Sequence, residues 1–329
     1  MVRFLLIGAG RIGRIHAENI ARSERAALTL VADADAKAAS DLAARWNARA
    51  VAPDQALAQS DIDAVLIASS TDTHADWIER CAAAGKPVFC EKPLDLDIAR
   101  ATQCMRRAEA ARIPLYLGFN RRYDPSFARL KREIESGAVG RLETLHIISR
   151  DPAPPPLEYI RRSGGLFRDM MIHDFDMARW LLGGEPVEVF ARGSALVDPA
   201  IGAAGDVDTA TVMLRTADGR LCQIANSRRC SFGYDQRIEA FGAEGMVSAG
   251  NHTATSVTLA GKQGYTTEPA LPFFLERYAD AYRLELEDFI NALEGKRVQL
   301  AAGEDGRRAL LLADAAQKSL TSGAAVQIA

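Results

Sequence analysis

An α/β chain is predicted, with an N-terminal doubly wound parallel sheet and a C-terminal α+β domain on a largely antiparallel, open-faced sheet. Three observations predict it. A short apolar run, residues 2–7, leads at once into a glycine-rich turn and a helical pattern. Apolar runs and helical segments then alternate to about residue 120, the texture of repeated βα units. From residue 186 onward the pattern becomes strands joined by turns, with period-two alternation at Ala210, Val212 and Leu214.

A chain of 329 residues exceeds the size at which one core stops growing, so two domains are expected, 1–120 and 121–329. The 48% hydrophobic and 25% charged residues are those of an ordinary globular protein, and a net charge of -3 offers nothing to nucleic acid or an acidic membrane surface. No apolar run approaches the ~20 residues of a membrane span, and the strand-like start at residue 2 leaves no room for a signal peptide. Five cysteines without close CxxC spacing argue against a disulfide framework or a zinc knot. Buried thiols in a reducing cytoplasm are expected.

Taken in order, residues 2–7 form a strand buried on both faces. Gly8-Ala9-Gly10-Arg11-Ile12-Gly13 follows and satisfies GxGxxG, ahead of a helix over 14–22. Its glycines allow a tight turn, close backbone approach to a pyrophosphate, and close helix–strand packing, while the helix N-terminus offers amide hydrogens to the anion. This is the Rossmann dinucleotide-binding pattern. The next strand, 27–32, ends in Asp33, which can accept hydrogen bonds from both adenosine ribose hydroxyls and would repel a 2′-phosphate. NAD is therefore expected over NADP. Strand 64–68 leads through Ser69, Ser70, Thr71, Asp72 and Thr73 to His74 and a helix over 75–84, placing small hydroxyl residues at a parallel strand's carboxyl end, where open α/β sheets bind ligands. A plain capping role suits the same residues. Glu91-Lys92-Pro93 closes the strand after it, and Pro93 holds Lys92 extended at that strand's carboxyl end, over the cofactor crevice. A helix over 97–112 and a strand over 114–119 follow, then Asn120, Arg121 and Arg122 break the pattern.

In the second domain, helices are expected over 126–136, 275–293 and 304–322. Strands are expected over 142–150, 187–194, 209–216, 220–227, 235–241, 246–249 and 256–260. One helix is read from Gly164-Gly165 to Gly183-Gly184. Met171, Phe175, Ala178 and Leu182 give it an apolar face, while Asp169, His173 and Asp176 fall on another stripe at i, i+4 and i+7. A carboxylate beside an imidazole is what a general base with an orienting partner requires. An acidic N-terminus complementing the helix dipole is the plainer alternative.

The N-terminal GxGxxG, Glu91-Lys92-Pro93 and Asp169-x-x-x-His173 together resemble the glucose-fructose oxidoreductase and inositol dehydrogenase family over essentially the whole chain. Within it, residues 118–124 and 163–176, with Ser227-Arg228-Arg229 and residues 233–237, look most like its inositol dehydrogenase members. The resemblance implies reversible NAD-dependent oxidation of a secondary alcohol on a cyclic polyol, myo-inositol to its 2-ketone, with Lys92, Asp169 and His173 as the catalytic triad. It implies cofactor contacts at Gly8, Ala9, Gly10, Arg11, Ile12, Gly13, Asp33, Ser70, Thr71, His74, Glu91, Lys92 and Asn120, and weakly at His16. Lys92, Asn120, Arg121, Asp151, Asp169, His173 and Tyr234 are implied to face the substrate, and no metal is needed. Another inositol isomer or an aldose such as glucose or xylose, an NAD-dependent glycoside hydrolase, and a cofactor-binding regulator are the alternatives. The family also points to a homotetramer, which would cover the open sheet face.

Overall fold

The computed structural model describes residues 1–328. Two compact units emerge, Met1–Asn120 with Ala281–Leu310, and Arg121–Asp280 with Leu311 onward.

In the first unit six parallel strands, β1 (Val2–Ile7), β2 (Ala26–Ala32), β3 (Arg49–Ala50), β4 (Ala64–Ile67), β5 (Val88–Glu91) and β6 (Leu115–Gly118), lie in the order β3-β2-β1-β4-β5-β6. A two-residue strand, Ala301–Ala302, runs antiparallel beside β6. Helices α1 (Arg11–Arg22), α2 (Ala36–Arg45), α3 (His74–Ala83) and α4 (Ile98–Ala110) alternate with the strands. Phe4, Leu5, Leu6 and Ile7 are all buried, as a strand covered on both faces must be. β1 pairs with both β2 and β4, so the chain reverses its direction of winding there, and ligands in such sheets bind outside the strand ends at that point.

The sequence assignment of 281–310 to the second domain is corrected. Phe289 of helix Ala279–Leu293 packs its ring 6.0 Å from Phe4, 5.5 Å from Phe89 and 6.1 Å from Tyr116, all in the first unit. An amphipathic pattern says which face is buried, not against what.

In the second unit β7 (Leu142–Arg150), β8 (Pro186–Ser194), β9 (Thr209–Thr216), β10 (Leu221–Ser227), β11 (Asp235–Gly242) and β12 (Gly245–Ala249) lie in the order β12-β11-β7-β10-β9-β8, with Val326–Gln327 beside β8. β7 and β10 run parallel and the other pairs antiparallel, so the sheet is mixed at its centre. One face is buried through Ile147, Val189, Val212, Leu214, Ile224 and Ile238. On the other, Phe190, Met213, Leu221, Phe241 and Met246 remain exposed at alternating positions of the same register. A hairpin, Thr258–Gly261 with Gly264–Thr267, forms a separate two-stranded sheet.

The helix read from 164 to 184 is two. After α5 (Pro125–Glu135) and α6 (Leu157–Ser163), α7 (Gly165–Asp169) ends and α8 (Ile172–Leu182) begins anew, ending at Gly183 with φ +64°. Gly164 and Gly165 both have φ above +80°, and a Cβ on Gly165 would stand 2.7 Å from Asp206 Oδ1, which accepts the Leu166 N–H at 3.1 Å. The apolar spacing runs unbroken across residues 170–171, which is why periodicity alone does not reveal the joint.

Candidate active site

In the first unit the turn between β1 and α1 is built by glycine for three different reasons. Gly8 takes φ +103° with a would-be Cβ 2.4 Å from the Ala68 carbonyl oxygen, and a Cβ on Gly13 would sit 2.0 Å from the Gly8 carbonyl oxygen. Gly10 is the N-cap of α1, is exposed, and has no atom within 4 Å of a Cβ position. The first turn of α1 carries no acidic residue, so an anion at its amide hydrogens meets no like charge. Ala9 is buried and Ile12 half-buried, while Arg11 is exposed.

Asp33, at the carboxyl end of β2, accepts the Ala9 N–H on Oδ2 at 2.6 Å and the Asp35 N–H on Oδ1 at 2.8 Å. Each oxygen keeps a further lone pair for a ribose hydroxyl. The cradle of open Gly10, bare helix N-terminus and oriented carboxylate therefore fits a dinucleotide. Ser70 is exposed and Thr71 half-buried in a tight turn that Thr73 closes, its hydroxyl 2.7 Å from Ser69 Oγ and 2.7 Å from the Ser70 carbonyl oxygen. Asn120 is buried just after β6.

Lys92 follows β5, is half-buried and precedes a cis bond to Pro93. Both its neighbours are held by buried histidines. His16 Nε2 lies 2.7 Å from Glu91 Oε1, and His74 Nδ1 lies 2.7 Å from the Pro93 carbonyl oxygen, with its Nε2 3.1 Å from that of Ser69. Burial pushes the His74 pKa down, against the pull of the two carbonyl oxygens that its ring nitrogens face. His16, His74 and Glu91, implied as cofactor contacts, thus have these polar atoms engaged within the unit on either side of Lys92 in the chain.

In the second unit Asp169 ends α7 and His173 lies in the first turn of α8, both half-buried. Asp169 accepts the Tyr159 hydroxyl on Oδ1 at 2.8 Å and Arg228 Nη2 on Oδ2 at 3.2 Å. Asp151 shares the neighbourhood of Arg228 and Asp169, and its carboxyl is pushed up to about 6, by burial first, against the pull of Arg228 and with the push of Asp169. Tyr234 is buried 5.9 Å from the Tyr278 ring, and burial raises its hydroxyl well above the ordinary range.

Arg121, implied as a substrate contact, is committed inside the unit. Its Nη1 donates to Ser149 Oγ at 2.9 Å and to Asp174 Oδ1 at 2.6 Å, and Asn226 Nδ2 donates to the other oxygen of Asp174 at 2.9 Å. Burial works against the Arg121 charge, but Tyr278 and Asp174 outweigh it and raise the pKa. Asp176, on the stripe with Asp169 and His173, is bound through both oxygens by Arg122 at 2.8 and 2.5 Å. Arg121 and Arg122 therefore anchor α8, the helix that carries His173. Breaking either buried pair by removing one partner costs about 3–5 kcal/mol.

Residues 2–119 match the family model described as "Oxidoreductase family, NAD-binding Rossmann fold", and residues 127–248 match "GFO/IDH/MocA C-terminal domain". The chain belongs to the GFO/IDH/MocA oxidoreductase family. It is 49% identical over 328 residues to a Rhizobium meliloti protein named inositol 2-dehydrogenase, covering 100% of this chain and 99% of that one. It is 47% identical to a Thermotoga maritima protein named myo-inositol 2-dehydrogenase, covering 99% and 98%. A Lactobacillus casei scyllo-inositol dehydrogenase solved with NAD(H) and scyllo-inositol superposes with a TM-score of 0.92 at 30% identity, over 99% of each chain.

In this GFO/IDH/MocA oxidoreductase, Tyr159, Arg228, Ser149 and Asn226 carry weight that sequence reasoning did not assign. Arg228 lay in a family-like stretch, but its partner Asp169 is 59 residues away and no spacing rule joins them.

Proposed function

We propose that this family member oxidises myo-inositol at a ring secondary alcohol to the 2-ketone, using NAD. The full-length 49% identity to a protein named inositol 2-dehydrogenase is the observation that carries this reading. Bound NAD supplies the hydride acceptor, the nicotinamide C4. His173 takes the hydroxyl proton, and Asp169, itself held by Tyr159 and Arg228, orients the imidazole. Lys92 is assigned to the same substrate oxygen and favours its developing negative charge. Gly8, Ala9, Gly10, Arg11, Ile12, Gly13, Asp33, Ser70, Thr71 and Asn120 are assigned to the cofactor, and Asp151 and Tyr234 to the polyol hydroxyls.

NAD is preferred over NADP because Asp33 would face a 2′-phosphate with like charge. The protein works in the cytoplasm as a homotetramer. A second reading, scyllo-inositol as the substrate, is favoured by the Lactobacillus casei neighbour.

Purified protein with NAD and myo-inositol accumulates NADH, and His173→Ala lowers kcat by on the order of 10²–10⁴. Turnover of His173→Ala at the wild-type rate removes the base from His173. A kcat/KM series over inositol isomers, glucose and xylose separates the substrate readings, and glycoside release without NADH would point to the hydrolase.

A further inference from the structure

Three buried groups behind Lys92 have no part in the chemistry above: His16 on α1, Glu91 at the end of β5, and Glu285 on helix Ala279–Leu293. Ligand-capable atoms of the three lie within 4.8 Å of one another. Their residues are 0%, 8% and 0% exposed. His16 Nε2 is engaged with Glu91 Oε1 at 2.7 Å, whereas neither carboxylate oxygen of Glu285 has a hydrogen-bond partner. The surroundings are apolar: the Phe89 and Tyr282 rings stand 5.6 and 5.7 Å from the His16 ring, and the Glu91 carboxylate lies 3.1 Å from where a Cβ on Gly118 would be.

Two carboxylates this close and this buried do not both stay ionised without a counter-charge, so either a proton or a cation resides among them. The distances favour the proton. His16 Nε2 and Glu91 Oε1 are at hydrogen-bond separation, closer than the roughly 3.3 Å between two ligands on one tetrahedral ion with bonds of about 2.0 Å. Facing Glu285 are His16 from α1 and Glu91 from β5, and burial together with the Glu91 carboxylate pushes the Glu285 carboxyl well up.

We propose that Glu285 is held as a neutral carboxylic acid inside a closed His16–Glu91–Glu285 cluster, and that this cluster positions the strand end carrying Lys92. The second half rests on the role proposed for Lys92; the first does not.

Thermal melts of full-length wild type, Glu285→Gln and Glu285→Ala across pH test the proton. An acid whose folded pKa lies above its unfolded one weakens the fold as pH rises past the unfolded value, near 4.5. Glu285→Gln should therefore melt higher than wild type at neutral pH, with the gain shrinking towards pH 4.5. A lower or pH-independent melting difference means an ionised Glu285 and overturns the proposal. So does a stoichiometric metal retained by dialysed wild type and lost from Glu285→Gln, which would mark a cation site. Should Glu285→Gln fail to fold, the infrared spectrum of wild type at neutral pH decides, through the presence or absence of a protonated carboxyl stretch.

Kinetics test the positioning. Glu285→Ala should lower kcat by on the order of tenfold with little change in KM for NAD, and Glu285→Gln should restore it. A wild-type kcat in Glu285→Ala would refute positioning. Loss of the proposed Lys92 role would show instead as normal turnover in Lys92→Ala, with the melts unaffected.

Discussion

Asp169 has both oxygens occupied by Tyr159 and Arg228, which fixes the carboxylate that is to orient His173. The glycine turn is equally specific at the level of single atoms. Because Gly10 has open space around its Cβ position and an ordinary negative φ of -70°, Gly10→Ala should fold with an unchanged melting temperature. The added methyl stands where a pyrophosphate is expected, so NAD affinity should fall by about tenfold, or ~1.4 kcal/mol, as titration calorimetry would read. Unchanged affinity would move the cofactor away from this turn. Asp151 gives a prediction in pH. Its folded carboxyl titrates near 6 against an ordinary 3.8, so the folded state binds the proton more tightly, and stability declines as pH rises from about 4 to about 6. Asp151→Asn should lessen that decline in chemical denaturation measured across the range, and an unaltered slope would place its source elsewhere.

At the scale of elements, α8 is held by two buried arginine–carboxylate pairs and begins afresh with two residues between it and the end of α7. The sequence shows the apolar face of this region plainly, because Met171, Phe175, Ala178 and Leu182 continue in one period. It does not show the joint, since Gly164 and Gly165 lie where α6 meets α7 and residues 170–171 are two methionines with no glycine or proline to mark a break. Strand identities were legible from local texture, but neighbours were not. Nothing in the residues of β7 and β10 tells that they pair in parallel at the centre of a sheet otherwise antiparallel. The same sheet leaves Phe190 and Met213 paired in register and 38% and 44% exposed, a row of apolar side chains in water unless a partner covers it. In the proposed tetramer this face is the interface. The double variant Phe190→Glu, Met213→Glu should therefore yield smaller species by light scattering, and a wild-type mass in that variant would exclude the face.

For the molecule as a whole, what could be read in the sequence was local: a glycine motif seven residues into the chain, Asp33 at a strand end, Lys92 fixed before Pro93. What could not be read joins distant positions. His16 meets Glu91 across 75 residues, Arg228 meets Asp169 across 59, and helix Ala279–Leu293 packs Phe289 on Phe4 from the far end of the chain. Of these contacts, Arg228 holds Asp169, a group assigned to the chemistry, and His16 holds the chain neighbour of another, Lys92. The histidines show the difference most clearly, because residues that resemble cofactor contacts sit buried on either side of Lys92. In the proposed reaction a hydride leaves carbon 2 of an inositol ring for NAD on this protein. Incubation with NAD and myo-inositol deuterated at carbon 2 should yield NADH carrying the deuterium at C4 of the nicotinamide together with the 2-ketone. NADH without the label, or no NADH at all, would contradict it.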